Sequence, residues 1–507
     1  MKRKMKTIKL VLLLIGISVI GCSDLEENPQ GVLAPESFFN SIADIQTAVN
    51  GAYGHMTHED FWGRKFSLTI MLRGDMVDIG DPTTSLRRIE HNEFNVLADN
   101  GMIDGFWTRV YQIIGAANQA IAGAELVDAD QDAKNAVIAQ AYFARAFTYF
   151  HLVRLFGDLP YLDAPVTDIV AAGSISRTPA EEVYANIIAD LAFAETWLPN
   201  TQPARSLPSK ATAKGYLALV HLTRGDYQLA YDKAKEVIDN EGIYELALEP
   251  DFQNLFNAAT IDASQEPLFS LDFEAFRNGD DGQDYAPALT GIRSDEQYGI
   301  GGGWSVAVPA LSVFENWDDD DYRKAVSFDA TGVFNGNVEP FTVFRDFNSR
   351  AVNRPHIAKY TRGTGTTANN NGRASQHNYS MMRYAEVLLI AAEALNEISG
   401  GNAEAFQYVN RIRARARSGN GAAVPADVSG LSQDEFRDLV MEERRLELAF
   451  EFKRWYDIAR RRMGNEVFGA SGFEGEKVNF DPNQDYLLPM PADELARNPN
   501  LTQNPGY

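Results

Sequence analysis

From Ser37 to about Val237 the apolar positions recur at the spacing of amphipathic helices. Ala43, Ile45, Val49 and Tyr53 form one stripe, and Phe106, Val110, Ile113, Ile114 and Ala117 another. Ala136 to Phe156 predicts a long, aromatic-rich helix that Gly157 and Pro160 bring to a stop. Thr178 stands where a cap is expected, with Pro179 at the first helical position after it. Ala213, Leu217, Ala218, Leu222, Ala230 and Ala234 lie on either side of Gly225-Asp226. Small residues at this spacing predict two antiparallel helices in close approach. Tyr384 to Arg417 repeats the pattern, with Ala385, Leu389, Ala392 and Leu395 followed by Ala405, Tyr408, Val409 and Ile412. Such a pair is close to a tetratricopeptide repeat, whose unit buries its apolar face only by stacking on a neighbour.

Between these pairs, Glu249 to about Arg373 changes character. Glycine, asparagine, aspartate and aromatic residues dominate, with Gly301-Gly302-Gly303 and Asp318 to Asp321 as punctuation. Leu268 to Phe273 and Phe341 to Phe344 read as short strands. Tyr285, Tyr298, Trp304, Trp317, Tyr322, Tyr360 and Tyr379 argue against disorder. A long, loop-rich insertion in a helical scaffold is a place to look for function. The fold class expected is mainly α: a repeat-like scaffold over about 36–245 and 380–465, interrupted by an insertion with short strands over about 249–375, and closed by a tail over about 480–507. Residues 36–507 read as one domain.

The amino-terminal 21 residues read as processing signal. Lys2, Arg3, Lys4, Lys6 and Lys9 precede an apolar run from Leu10 to Ile20, too short to span a bilayer. Val19-Ile20-Gly21-Cys22 looks like a bacterial lipobox, in which Cys22 carries the lipid. An ordinary signal peptide followed by an incidental cysteine is the alternative. Residues 22–35 form an acidic tether. Cys22 is the only cysteine, so no intrachain disulfide can form and stability rests on a core that 45 % apolar composition can build. The net charge is −24, and the signal segment contributes only positive charge, so the rest is more acidic still. That balance argues against nucleic acid or another polyanion as partner, unless a local basic pocket overrides it. Arg73, Arg277, Arg293, Arg350 and Arg354 are the residues that would build one.

Five strings resemble one family, the SusD/RagB lipoproteins of Bacteroidetes. They are Ala144-Arg145-Ala146 with the exit from Leu152 to Pro160; Arg383 to Ile390 with Ala392-Glu393-Ala394; Asn410 to Ala416; Glu443 to Glu451 with Arg454-Trp455-Tyr456-Asp457; and Leu488-Pro489-Met490-Pro491 through the terminal Gln503-Asn504-Pro505-Gly506-Tyr507. With the lipobox they span nearly the whole chain. The resemblance implies a SusD-like fold with four tetratricopeptide-like units and loops that carry a glycan. It implies noncatalytic binding at the outer face of the outer membrane, beside a SusC-like TonB-dependent transporter. It also admits a RagB-like alternative, the capture of peptides or glycoprotein fragments. The charges of the fourth string are readable as a local ladder: Arg444 with Glu447, Arg454 with Glu451 or Asp457, and Asp457 with Arg461.

The residues themselves offer little catalytic chemistry. A glycosidase needs two carboxylates across a cleft; 70 acidic residues guarantee candidates, but none sits in a recognisable string. No nucleophile elbow is present. His55 and His58 lack a His-Glu-x-x-His partner set, and Asp318 to Asp321 read as a solvated turn before Tyr322-Arg323 rather than a calcium loop, so neither a metal nor a cofactor is expected. Binding is the better reading, because an exposed aromatic ring stacks on the apolar face of a sugar. Trp304, carried on three glycines, is the leading platform; Tyr298 and Trp62 are second and third. Arg73 and Asp75, flanking Gly74, and Asp78 are candidates for the hydroxyls. Trp107, Trp197, Trp317 and Trp455 are assigned to the core. The acidic body favours a neutral glucan, and within that class a β-glucan such as laminarin.

Overall fold

The computed structural model describes residues 35–274, 282–293, 303–345, 351–365, 373–473 and 475–507. Cys22, the tether, Tyr298, Arg277 and Arg350 lie outside them. Twelve helices carry the argument: α1 (Ile42–Met56), α2 (Lys65–Leu72), α3 (Leu86–Asn92), α4 (Gly101–Gly123), α5 (Gln131–Phe156), α6 (Ala180–Trp197), α7 (Lys210–Arg224), α8 (Tyr227–Asp239), α9 (Tyr384–Ile398), α10 (Ala403–Ser418), α11 (Gln433–Glu447) and α12 (Arg454–Arg461). They pack as antiparallel pairs: α1 with α4, α5 with α6, α7 with α8, and α9 with α10. Neighbouring pairs touch through α4 and α5, α6 and α7, and α8 and α9, and α11 closes the stack against α9.

The α7–α8 pair is built as its sequence predicts. Ser209 and Thr212 form a capping box at the start of α7. Gly225 ends it in the left-handed region at φ 80°, where a side chain would be strained. Ala213, Ala218, Ala230 and Ala234 are fully buried in the seam. The start of α6 differs from expectation. Pro179 is the cap itself, and Ala180 donates its N–H to Asp158 at 2.8 Å. Thr178 is drawn away by two backbone hydrogen bonds with Leu159, 2.9 and 3.1 Å, which fasten the chain after α5 to the chain before α6.

The insertion takes part in small antiparallel sheets, two of them completed by strands from outside it: β1 (Val77–Ile79) with β3 (Ala307–Pro309), β2 (Pro267–Asp272) with β8 (Asn378–Arg383), β4 (Phe328–Asp329) with β7 (His356–Ile357), and β5 (Thr331–Phe334) with β6 (Asn337–Pro340). The run Leu268 to Phe273 is thus largely strand. Phe341 to Phe344 is not: Phe341–Val343 is a 3-10 turn, and the strand is the polar stretch before it, returned by Asn335-Gly336 at φ 52° and 77°. Two residues with positive φ give a hairpin turn that matches strand twist, and this local geometry outweighs the apolar run.

One buried ionic cluster ties insertion to scaffold. Glu447 accepts hydrogen bonds from Arg383, Arg415 and Arg323. Glu451 binds Arg383 and Lys359, each at 2.8 Å, Glu266 binds Arg383 and Arg415, and Glu443 binds Arg323 at 2.6 Å. Asp321 and Arg413 complete the set through Arg323 and Glu443, so five acids face five bases. The charges of the fourth family string are buried scaffold pairs, but their partners are not the ones that the local ladder names. Arg444 pairs with Asp457 at 2.9 Å, Arg454 with Asp75 at 2.7 Å, and Asp457 with Arg460 at 2.8 Å. The turn from Asp318 is only partly solvated, since Asp321 is buried with Arg323. Among the described residues no helix is long and apolar enough to cross a membrane, and no cluster of His, Cys, Asp or Glu could hold a metal ion.

Candidate functional site

The site is best built outward from Trp304. The β1–β3 pairing runs on past its last register pair, with Gly80 N–H to the Val306 carbonyl at 2.9 Å and Asp81 N–H to the Ser305 carbonyl at 2.7 Å. A Cβ on Gly80 would lie 2.3 Å from the Ser305 carbonyl oxygen, so only glycine admits this approach. Ser305 itself sits at φ 50°, a conformation a non-glycine residue holds only when its surroundings over-determine it. Its hydroxyl accepts from Arg293 N–H at 3.0 Å and lies 2.7 Å from His356 Nε2. Burial pushes His356 down to about 4, so it stays neutral and serves as a fixed partner.

This strained corner aims Trp304. Its N–H donates to the Ala288 carbonyl at 2.6 Å, and its own carbonyl accepts from Arg293 at 2.7 Å. The indole is half-buried, with the ring of Tyr285 edge-on at 5.8 Å. Arg64 covers the Tyr285 ring at 4.5 Å. A backbone so tightly held, carrying a large ring with one part in the core, makes a rigid stacking platform. Gly303 is required for it: a Cβ there would meet the Gly291 carbonyl carbon and oxygen at 2.0 Å. Gly303→Ala is accordingly expected to lower the melting temperature by several degrees, in the range of other strained-backbone substitutions. An unchanged thermal midpoint would contradict this account of the corner.

The other sequence candidates separate. Asp78 lies on β1, close to this corner, where it pairs with Lys477 at 3.2 Å and faces Arg354 at 3.9 Å. Trp62 is in the core at 5 % exposure, packed by Phe61, Phe66, His151 and Phe452 at 5.3–6.1 Å, so neither face is open to a sugar. Arg73 is fully buried between Trp455 and Phe94, 4.4 and 5.0 Å from their ring centres, and donates to the Asp485 carbonyl. Asp75 is occupied by both nitrogens of the Arg454 fork at 2.7 Å. These three therefore serve the scaffold in this structure, against expectation. Tyr298 lies outside the described residues. Trp107, Trp317 and Trp455 are buried as expected, and Trp197 packs half-buried against the core.

Tyr285, Arg64 and Asp81 were not legible as neighbours of Trp304, because each reaches it from a distant segment. A separate cleft of about 570 Å³ lies between α11 and α12, lined by Arg437, Met441, Arg445, Arg461 and Phe473 among others, and takes in none of these residues except Asp75.

Comparison with known proteins decides the family. The chain is 57% identical, over 99% of its own length and 100% of the other's, to SusD-like protein P2 of Formosa agariphila. It belongs to the SusD family. Residues 345–507 of this SusD-family chain match the family profile described as "SusD family", and residues 25–222 match that described as "Starch-binding associating with outer membrane". A SusD homolog from Bacteroides thetaiotaomicron shares the fold at TM-score 0.81 and 20% identity, over 93% of this chain and 98% of that one. A solved structure described as "Laminarin binding SusD-like protein" shares it at TM-score 0.76 and 21% identity, over 92% and 100%. The helical-repeat scaffold expected from the sequence is the SusD fold.

Proposed function

We propose that this SusD-family protein captures oligosaccharide without cleaving it, while held at the outer membrane by lipid on Cys22, and passes it to a SusC-like TonB-dependent transporter. The observation that carries the reading is Trp304, a partly exposed indole fixed on a strained corner of the insertion. The outer-membrane description of the matched family supports the location. Asp78 and Asp81, on the strand that leads into this corner, spend oxygens on Lys477 and Arg293, an arrangement that positions groups rather than moves protons.

Whole-chain charge by itself favours a neutral glucan, and a laminarin-like β-glucan agrees with the laminarin for which one fold neighbour is named; the charges around the site itself decide between this and an acidic saccharide. Trp304→Ala is expected to weaken retention in glycan-containing native gels at least tenfold, about 1.4 kcal/mol. Its melting temperature should fall by only a few degrees, since the ring packs at the edge of the core and is already partly exposed. If the variant unfolds, or binds as the parent does, Trp304 is not the platform. A glycan array with no carbohydrate hit would favour the RagB-like capture of peptides. Release of reducing sugar from the best-bound glycan would instead make the protein a hydrolase.

A further inference from the structure

Basic residues gather around Tyr285, the ring that packs against Trp304. Arg64 lies over Tyr285 and pairs with Glu59 at 2.8 Å, yet its Nε is buried with no hydrogen-bond partner. Arg87 and Arg88 stand half-buried at the start of α3. Arg88 donates to Thr84 Oγ1 at 2.9 Å, and Arg87 has a second buried Nε without a partner. Neither has a carboxylate within ion-pairing distance among the described residues. The acids nearby are committed elsewhere: Glu59 to Arg64, Asp60 to Lys65 at 2.5 Å, Asp81 to Arg293, Asp78 to Lys477, and Glu90 to Asn100 at 2.6 Å. Burial and the like charges of Arg64 and Arg87 push Arg88 down to about 10, and Tyr285 is among the groups close enough to act on it.

In a chain that otherwise pairs its arginines so densely, two adjacent guanidiniums without counter-charge are conspicuous. Arg145 and Arg454, by contrast, are paired inside the fold with Asp190 and Asp75. We propose that Arg87 and Arg88, with Arg64, form a subsite for a carboxylate or sulfate group on the saccharide that stacks on Trp304. The proposal rests on Trp304 being the glycan platform and specifies the ligand class there as acidic. A guanidinium fork matches both oxyanions with two parallel hydrogen bonds. The overall charge of −24 does not forbid this. At physiological ionic strength charges are screened beyond about 8 Å, so the groups in contact decide the local field.

The test uses the mature protein in affinity electrophoresis against polygalacturonate and its carboxyl-reduced product, a sulfated galactan and its desulfated product, and laminarin. An acidic polymer should be retained, more weakly as salt rises, and its neutralised product should not; which pair responds separates carboxylate from sulfate. Arg87→Gln with Arg88→Gln should lose at least tenfold on that polymer with an unaltered melting temperature. Arg497→Gln, which removes an exposed arginine already paired with Asp493 and Glu494, should lose nothing. Laminarin bound as tightly as any acidic polymer would overturn the proposal and leave the glycan reading standing. So would undiminished binding by the double variant, or binding of the acidic polymer that survives Trp304→Ala. No retention on any polymer would overturn the glycan reading itself.

Discussion

Glu447→Ala is expected to destabilise the fold by about 3–5 kcal/mol, the cost of stripping one partner from a buried ion pair. Glu447 is fully buried, and its carboxylate stands among Arg323, Arg383 and Arg415. Burial alone would raise its proton affinity, but the three guanidiniums win and hold it well below the usual carboxylate range. The variant leaves five bases facing four acids in a site that water cannot reach. Each arginine keeps another acid, so the chain can still fold, but the excess charge is uncompensated. Because Arg323 and Lys359 come from the insertion while Arg383 and Arg415 come from the scaffold and its joining strand, the insertion should loosen first. Thermal denaturation checks the first claim and amide exchange over residues 320–360 the second. Arg497→Ala is the contrast: its pairs with Asp493 and Glu494 are two-thirds exposed on the arginine side, and such pairs contribute about 0–1 kcal/mol. Equal melting temperatures for the two variants would refute the account.

Stability is expected to fall steeply as pH drops from about 6.5 toward 4. Four histidines are buried and neutral in the fold. Burial, with Arg73 nearby, pushes His91 down to about 3; burial pushes His356 and His377 to about 4; burial with Arg154 and Lys453 pushes His151 well below its ordinary value. The unfolded chain protonates these rings near 6.5, whereas the folded chain does not until lower pH. Each therefore removes about 1.4 kcal/mol per pH unit across that window and nothing above it. Asp284 works the other way. Burial raises it to about 6, so it takes up a proton in the fold before it would when unfolded, and offsets one histidine between about 6 and 4. The raised Asp190 and Asp272 act in the same sense as Asp284. Glu447 and Asp457, both held low by arginines, lose their contribution only below the ordinary carboxylate range. Against a native margin of roughly 5–15 kcal/mol, the net histidine effect is a substantial loss. A melting temperature that is flat from pH 7.5 to 5 would show that the rings are protonated in the fold.

The helices were legible because helical periodicity is a local property: Ala213 to Ala234 names its own partners within one turn or one hairpin. The same logic failed where a residue's partner lies far along the chain. Trp62 read as an exposed ring because Gly63 follows it, and glycine suggests a loop. In the fold Gly63 is needed because a Cβ there would meet the Gln283 carbonyl oxygen at 2.2 Å. The glycine marks a close approach of two backbones, and close approach is what buries the tryptophan. Trp304 is also next to a glycine, Gly303, yet its corner leaves the indole partly exposed. Nothing in either tripeptide distinguishes the two cases.

The sequence by itself determined the helical repeats, the family and the choice of Trp304 as a ring to watch, since each rests on residues close together or on strings compared as strings. Tertiary structure alone decided that Arg73, Asp75 and Trp62 support the scaffold, that Glu447 is the centre of a charge cluster, and that Arg64 and Arg88 gather near Tyr285 with Arg87 beside them. Burial and ion pairing depend on which distant segments meet. One residue's neighbours in sequence cannot reveal whether its charge will face water, an acid or another arginine.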